Sequence, residues 1–264
     1  MQMSERPVGV LDSGVGGLTI ARAIKDILPQ ETIYYIGDTA NLPYGEKTTE
    51  SLQTHVQKII AHLLSHDCKA IVIACNTATV AAADRLKQEI PAHIPLLDVV
   101  TPVIDHITQQ YPNPKIGLIG TKYTVDTNYY HHLLKARKAN ILLNSLATPL
   151  LVPMIEADQY DASIVERYVL DLALQDISGL ILGCTHYWLI KEQIQRYYPQ
   201  HFELINGAKL LAQQLREVLS TNQWLNTTSM HHDRFMVTSL TMGFQKILRK
   251  LFGETATCEK VELP

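Results

Sequence analysis

Residues 71–80 read IVIACNTATV, and residues 180–189 read LILGCTHYWL. In each, an apolar run stops at a cysteine, Cys75 or Cys184, and small hydroxyl or amide side chains follow at once. A short apolar run rich in branched side chains is the pattern of a parallel strand buried on both faces. Asn76, Thr77 and Thr185 are residue types that cap helices. Both stretches therefore predict a strand that turns through a cysteine into a helix.

The match extends outward. VGVLDSG at 8–14 resembles IGLIGTK at 116–122, and Cys75 lies 66 residues after Gly9 while Cys184 lies 67 after Gly117. The chain reads as a duplicated α/β unit. Strands are expected at Val8–Leu11, Ile33–Ile36, Ala70–Ala74 and Leu96–Val99. Helices are expected at Leu18–Ile27, Thr49–Ser65 and Thr77–Gln88. After a loop punctuated by Pro112 and Pro114 the order restarts with a strand at Lys115–Ile119. A loop GTKYTVDT, a helix rich in Tyr and His, a strand at Ile141–Ser145 and a loop ATPLLVPMIEAD come next. A helix at Ser163–Leu174, a strand at Gly179–Leu182 and a helix at Tyr187–Tyr197 complete this half. The C-terminal part has a helix at Ala208–Leu219, a loop-like stretch at Ser220–Asp233, a strand-like FMVTS at 235–239 and a helix near Phe244–Leu251. Alternation of this kind predicts an α/β fold: two similar α/β domains with mostly parallel sheets. Ligands in such folds sit beyond the carboxyl ends of the strands, so both cysteines would face a cleft between the domains.

Composition narrows the function classes. The chain has 264 residues, 46% hydrophobic and 19% charged, with a net charge of −3. That is no basic nucleic-acid surface, and no nucleic-acid partner is expected. No apolar run is long enough to span a membrane, and no secretory leader is read, so a cytoplasmic location is expected. Thiols there stay reduced. The four cysteines, Cys68, Cys75, Cys184 and Cys258, form no CxxC pair, so no metal site is expected. Cys68 and Cys258 lack the strand-to-helix context and read as structural.

A thiol at a helix N-terminus is favoured as the anion, which makes Cys75 and Cys184 candidate thiolates. A hydrolase needs one nucleophile and one base. A stereoinversion needs a base on one face of a carbon and an acid on the other, with the roles swapped in reverse. The turn DSGVGG fails the dinucleotide pattern because Thr19 stands at its third glycine position. Its glycines suit close approach of backbone to a small ligand. Asp12 could then hold an amino group or assist a base, with Ser13 beside it. In NLPYGEKT (41–48), Tyr44 and the Gly45 amide could grip a carboxylate. His186 could tune the proton of Cys184, and Glu156, read as a loop carboxylate, could orient His186.

Taken together, GVLDSGVGGLTI (9–20), YIGDTANLPYGEKT (35–48), ACNTATVAA (74–82), TVDTNYY (124–130) and GCTHY (183–187) resemble the glutamate racemases, the cofactor-independent enzymes that supply D-glutamate for peptidoglycan. The resemblance implies an isomerase with its site between two domains and no cofactor. It implies a first domain of residues 1–99 plus 207–264, completed by the C-terminal segment, and a second of 100–206. It implies that Cys75 acts on the D-enantiomer and Cys184 on the L-enantiomer. Asp12 would assist Cys75, and His186, with Glu156 behind it, would assist Cys184. Substrate would be bound by Asp12, Ser13, Tyr44, Gly45, Asn76, Thr77, Thr185 and His186, with Thr121 and Thr124 from the second domain. Two departures stand out: Trp188 where the family commonly has proline after GCTHY, and Asn206 where it often has aspartate. A homodimer or a monomer–dimer equilibrium is expected. An aspartate racemase or another cysteine-pair isomerase is the neighbouring reading. A phosphate- or nucleotide-binding module built on DSGVGG is the reading from another class.

Overall fold

The computed structural model describes residues 2–110, 115–138, 140–159, 161–173, 176–197, 203–228 and 232–263. The loop read at Pro112 and Pro114 lies outside the described residues, as does Leu174 at the end of one expected helix.

The first strands and helices alternate: β1 (Val8–Asp12), α1 (Leu18–Ile27), β2 (Ile33–Gly37), α2 (Thr49–Ser65), β3 (Ala70–Ile73), α3 (Asn76–Glu89), β4 (Leu96–Asp98) and α4 (Thr101–Gln110). The second series is β5 (Lys115–Gly120), α5 (Lys122–Asp126), α6 (Tyr129–Ala136), β6 (Leu142–Ala147), α7 (Leu151–Glu156), α8 (Ala162–Ala173), β7 (Gly179–Gly183), α9 (Lys191–Gln195) and β8 (Glu203–Ile205). The chain closes with α10 (Gly207–Thr221), β9 (Arg234–Val237), α11 (Met242–Phe252) and β10 (Cys258–Lys260).

Among the described residues the strands form two sheets, in the orders β10-β9-β2-β1-β3-β4 and β6-β5-β7-β8. Every pairing is parallel. The order β2-β1-β3-β4 is repeated as β6-β5-β7-β8, which is the duplication read from the 66- and 67-residue spacings. The register agrees as well: Asp12 faces Gly37 in one sheet, and Gly120 faces Ala147 in the other. The C-terminal strands extend only the first sheet, β9 on β2 and β10 on β9.

Parallel strands covered on both faces read as unbroken apolar runs, and β1 and β7 are buried at every residue. Alternate side chains of β1 enter different cores. Val8 and Val10 join a cluster with α1, α4 and α10, while Leu11 joins one with α2 and α3. The first cluster continues through Ile116, Leu118, Tyr130 and Ile181, so one apolar core runs beneath both sheets. Helix α10 packs along α1 in this shared layer. Among the described residues no helix is long and apolar enough to cross a membrane.

Three local expectations are corrected. GTKYTVDT is not wholly loop: Thr121 accepts from the Thr124 amide and caps the short helix α5. Residues 151–156 are helix α7, not loop, with Pro153 in its first turn, where the missing N–H costs no helical hydrogen bond. Cys184 opens a six-residue 3₁₀ turn, Thr185–Ile190, ahead of α9, not a single helix over 187–197. Helix α4 and strands β8 and β10 were not anticipated; the half-exposed CEK sequence of β10 carries no apolar alternation.

Candidate active site

The carboxyl ends of β1, β3, β5 and β7 face one cavity of about 280 Å³ between the two sheets. From the first series it is lined by Ser13, Tyr44, Gly45, Cys75, Asn76 and Thr77. From the second come Thr121, Cys184, Thr185 and His186. Ser13 and Thr121 follow β1 and β5, and Cys75 and Cys184 follow β3 and β7, so the lining obeys the same repeat as the sheets. Three of the anticipated residues, Asp12, Thr124 and Glu156, do not line the cavity but touch residues that do.

Cys75 is the N-cap of the fourteen-residue helix α3, and its sulfur accepts from the Ala78 amide at 3.5 Å. The Ser13 hydroxyl lies 3.8 Å from the sulfur. The helix start favours a thiolate, but burial is the larger influence. With only 5% exposure, burial pushes the Cys75 thiol well up; the charge of Asp12 adds to this and the Ala78 amide opposes it. Burial thus works against the helix start at Cys75 and favours the protonated thiol. Cys184 has no capping hydrogen bond and a short 3₁₀ turn behind it. Its neighbour is an imidazole, with His186 Nδ1 at 3.6 Å.

His186 Nε2 lies 2.6 Å from Glu156 Oε1, and the Val15 amide donates to that same oxygen at 3.2 Å. Burial alone would lower the His186 pKa, but the hydrogen bonds and charges of Cys184 and Glu156 raise it well above the usual 6.5. Burial would raise Glu156; the His186 hydrogen bond and charge, with the Val15 amide, bring it below the usual 4.5. The pair therefore favours imidazolium with carboxylate, and an imidazolium donates at both nitrogens.

Asp12 is fully buried and accepts from the Gly17 amide at 2.7 Å and the Gly14 amide at 3.2 Å. The Thr185 hydroxyl approaches its other oxygen at 3.4 Å. Burial raises the Asp12 pKa against the His186 charge and both amides. The glycines of the turn are required by contact. A Cβ at Gly17 would lie 2.3 Å from the Asp12 Cβ, and one at Gly16 would lie 2.3 Å from the Thr185 hydroxyl. Three hydroxyls, Thr77, Thr121 and Thr124, meet at 3.0–3.5 Å across the cleft.

Sequence reading passed over Asp38, Tyr35 and Thr148. Asp38 is fully buried after β2 and accepts from the Tyr44 hydroxyl at 2.7 Å and the Thr238 hydroxyl at 2.8 Å, which fixes one cavity wall. Tyr35 donates to the Gly14 carbonyl at 2.6 Å and so holds the turn that carries Asp12. Thr148 lies after β6 as Asp38 lies after β2, and its hydroxyl meets that of Tyr187 at 2.6 Å. A polar residue directly after a strand was the available signal for Asp38 and Thr148. Of the two departures, Asn206 caps α10 by accepting from the Lys209 amide at 3.0 Å, a task asparagine and aspartate share. Trp188 lies within the 3₁₀ turn, partly buried against the core, where it shares a crevice with Ile20 of α1 and Ile181 and Leu182 of β7.

The family model for Asp/Glu/hydantoin racemases matches residues 18–215. A glutamate racemase of Neisseria meningitidis serogroup C is 36% identical, covering 98% of this chain and 96% of its own. The crystal structure of glutamate racemase isoform RacE1 from Bacillus anthracis superposes with a TM-score of 0.92 at 33% identity, over 99% of each chain. That of Francisella tularensis glutamate racemase in complex with D-glutamate gives 0.89 at 33% identity, over 98% of each. An aspartate racemase of Picrophilus torridus, at 16% identity and a TM-score of 0.60 over 81% of this chain and 94% of its own, shares the fold. The chain belongs to the Asp/Glu/hydantoin racemase family, among its glutamate racemases.

Proposed function

We propose that the chain interconverts L- and D-glutamate with Cys75 and Cys184 as the two proton-transfer groups. The observation that carries this reading is the emergence of two buried cysteines, from corresponding strand ends of two repeated sheets, into one cavity. In one direction a sulfur takes the α-proton and the other sulfur gives its own proton to the opposite face of the carbanion. The electron pair left on the α-carbon is shared with the carboxylate until the second proton arrives. Reversal exchanges the two roles. The charge that builds on the carboxylate is met by amides at the start of α3 and by the surrounding hydroxyls. A Cys75 that keeps its proton is a ready donor, and an imidazolium at His186 stabilises a thiolate at Cys184.

Asp12 then tunes Cys75, and Glu156 orients His186. Ser13, Tyr44, Gly45, Asn76, Thr77, Thr121 and Thr185 bind substrate, and Thr124 acts through Thr121. The domain division follows sheet membership: residues 1–99 with 207–264, and 100–206. The product supplies D-glutamate for peptidoglycan.

The test is L-glutamate in deuterated buffer without added cofactor, followed by optical activity and α-deuterium. The expected result for the parent protein is loss of optical activity with deuterium uptake, and the loss of optical activity is reduced at least about 10³-fold in Cys75→Ala and in Cys184→Ala. Full activity in either folded variant overturns the two-thiol reading. Turnover of aspartate in place of glutamate moves the substrate assignment.

A further inference from the structure

Glu156 closes helix α7 of the second series, yet it is held from the first. The Val15 amide donates to its Oε1. A Cβ at Gly14 would stand 2.5 Å from that same oxygen, and one at Gly243 would stand 3.3 Å from the Glu156 carbonyl. Just outside, Lys246 of α11 pairs with Asp158 at 2.5 Å. The end of α7 is thus seated between the DSGVGG turn and the start of α11. Cys75 is served from its own side, by the Ala78 amide and the Ser13 hydroxyl.

We propose that Gly14, Val15 and Gly243 are positioning residues that set the Glu156–His186 pair from across the cleft, so that proton transfer at Cys184 requires a closed seam while proton transfer at Cys75 does not. Oε1 receives both the Val15 amide and the imidazole. The amide contact is 3.2 Å long, so separating the two sides by about 1 Å breaks it. Glu156 then loses the bond that fixes its rotamer, and His186 loses an oriented partner. Glycine is needed at 14 because a side chain there would occupy the place of the carboxylate.

The inference rests on the two-thiol reading, and its test is separable from that reading. Gly243→Val drives a wedge against the Glu156 carbonyl, and Lys246→Glu replaces attraction to Asp158 with repulsion; neither residue lines the cavity. D-Glutamate is incubated with each variant in deuterated buffer. Deuterium in the recovered D-glutamate is compared with formation of L-glutamate. With Cys75 intact and Cys184 weakened, the carbanion returns more often to the D side. The ratio of exchange to inversion should rise severalfold, more for Gly243→Val than for Lys246→Glu. The isotope effect with α-deuterated L-glutamate should rise in parallel. A merely structural defect lowers exchange and inversion together; that result, or an unchanged ratio in both variants, overturns the proposal. Should Gly243→Val fail to fold, Lys246→Glu, at an exposed site, decides alone. Retained inversion in a thiol variant sinks the underlying reading instead, whatever the seam variants do.

Discussion

Cys75 and Cys184 occupy corresponding ends of one repeated sheet, but the sequence has furnished them differently. Cys75 caps a long helix and has a hydroxyl and an amide for company. Cys184 precedes a 3₁₀ turn and has an imidazole backed by a carboxylate. Asp12 holds the turn before Cys75 through amides of its own loop. The equivalent position in the second sheet is Gly120, which has no side chain to do so. Duplication supplied two placements of sulfur, and divergence supplied two ways to manage its proton.

The sharpest way to break this comparison is to remove each sulfur in turn. On the proposed roles Cys184→Ala loses inversion by at least about 10³-fold but still exchanges the α-proton of D-glutamate. Cys75→Ala keeps exchange with L-glutamate only. Identical behaviour of the two variants toward each enantiomer would erase the distinction.

Next in size is the pair behind Cys184. Glu156→Gln is expected to lower kcat by about 10- to 100-fold, within the usual range for a group that supports an acid or base. Cys184 and, after it, the Glu156 carboxylate raise the His186 pKa, so loss of the carboxylate is expected to move the alkaline limb of the rate profile to lower pH. An alkaline limb that stays in place would detach His186 from that limb. The same pair affects stability with a definite sign. The His186 contribution is full below pH 6.5 and lost as pH rises through its raised value. The Glu156 contribution is present above pH 4.5 and lost as pH falls through its lowered value. Thermal melts of Glu156→Gln against the parent should therefore differ most between these limits and converge outside them.

The strand glycines give a smaller contrast. A Cβ at Gly183 would come within 2.9 Å of the Ile119 carbonyl, which is backbone and cannot swing aside. At Gly9 the neighbours are ends of flexible side chains at 3.0–3.1 Å. Gly183→Ala should cost about 1–3 kcal/mol and Gly9→Ala less, read as a difference in melting temperature. Equal losses would mean that the two sheets tolerate added volume alike. Asn206→Asp should be smallest, under about 0.5 kcal/mol, since the cap is kept.

Much of this was legible in the sequence because parallel strands must be apolar and helices must begin with caps. Those rules located β1, α1, α2 and β3 almost to the residue. The cysteine spacing revealed the repeat before any pairing was known. What escaped reading depends on distance. Nothing near Glu156 tells that it meets His186, thirty positions on. Helix α7 is six residues long with an internal proline, too short for a periodicity to form. The raised proton affinity of Cys75 is likewise a tertiary effect: the helix start was readable, while the burial that outweighs it was not.

Both sulfurs are nearly enclosed, Cys75 at 5% and Cys184 at 7% exposure. On the proposed chemistry this gives the protein a memory. Each turnover leaves the proton on the sulfur opposite to where it began, so the protein that has just made D-glutamate is poised to accept D-glutamate. It must trade protons with water before it can take L again. Mirror images have equal free energy in water, so kcat/KM must be the same in both directions however unlike the two thiols are. Their difference is expressed in the waiting time between hands. At high substrate concentration the slow event becomes the resetting of an empty site, and a trace of labelled product would be swept back against its own gradient.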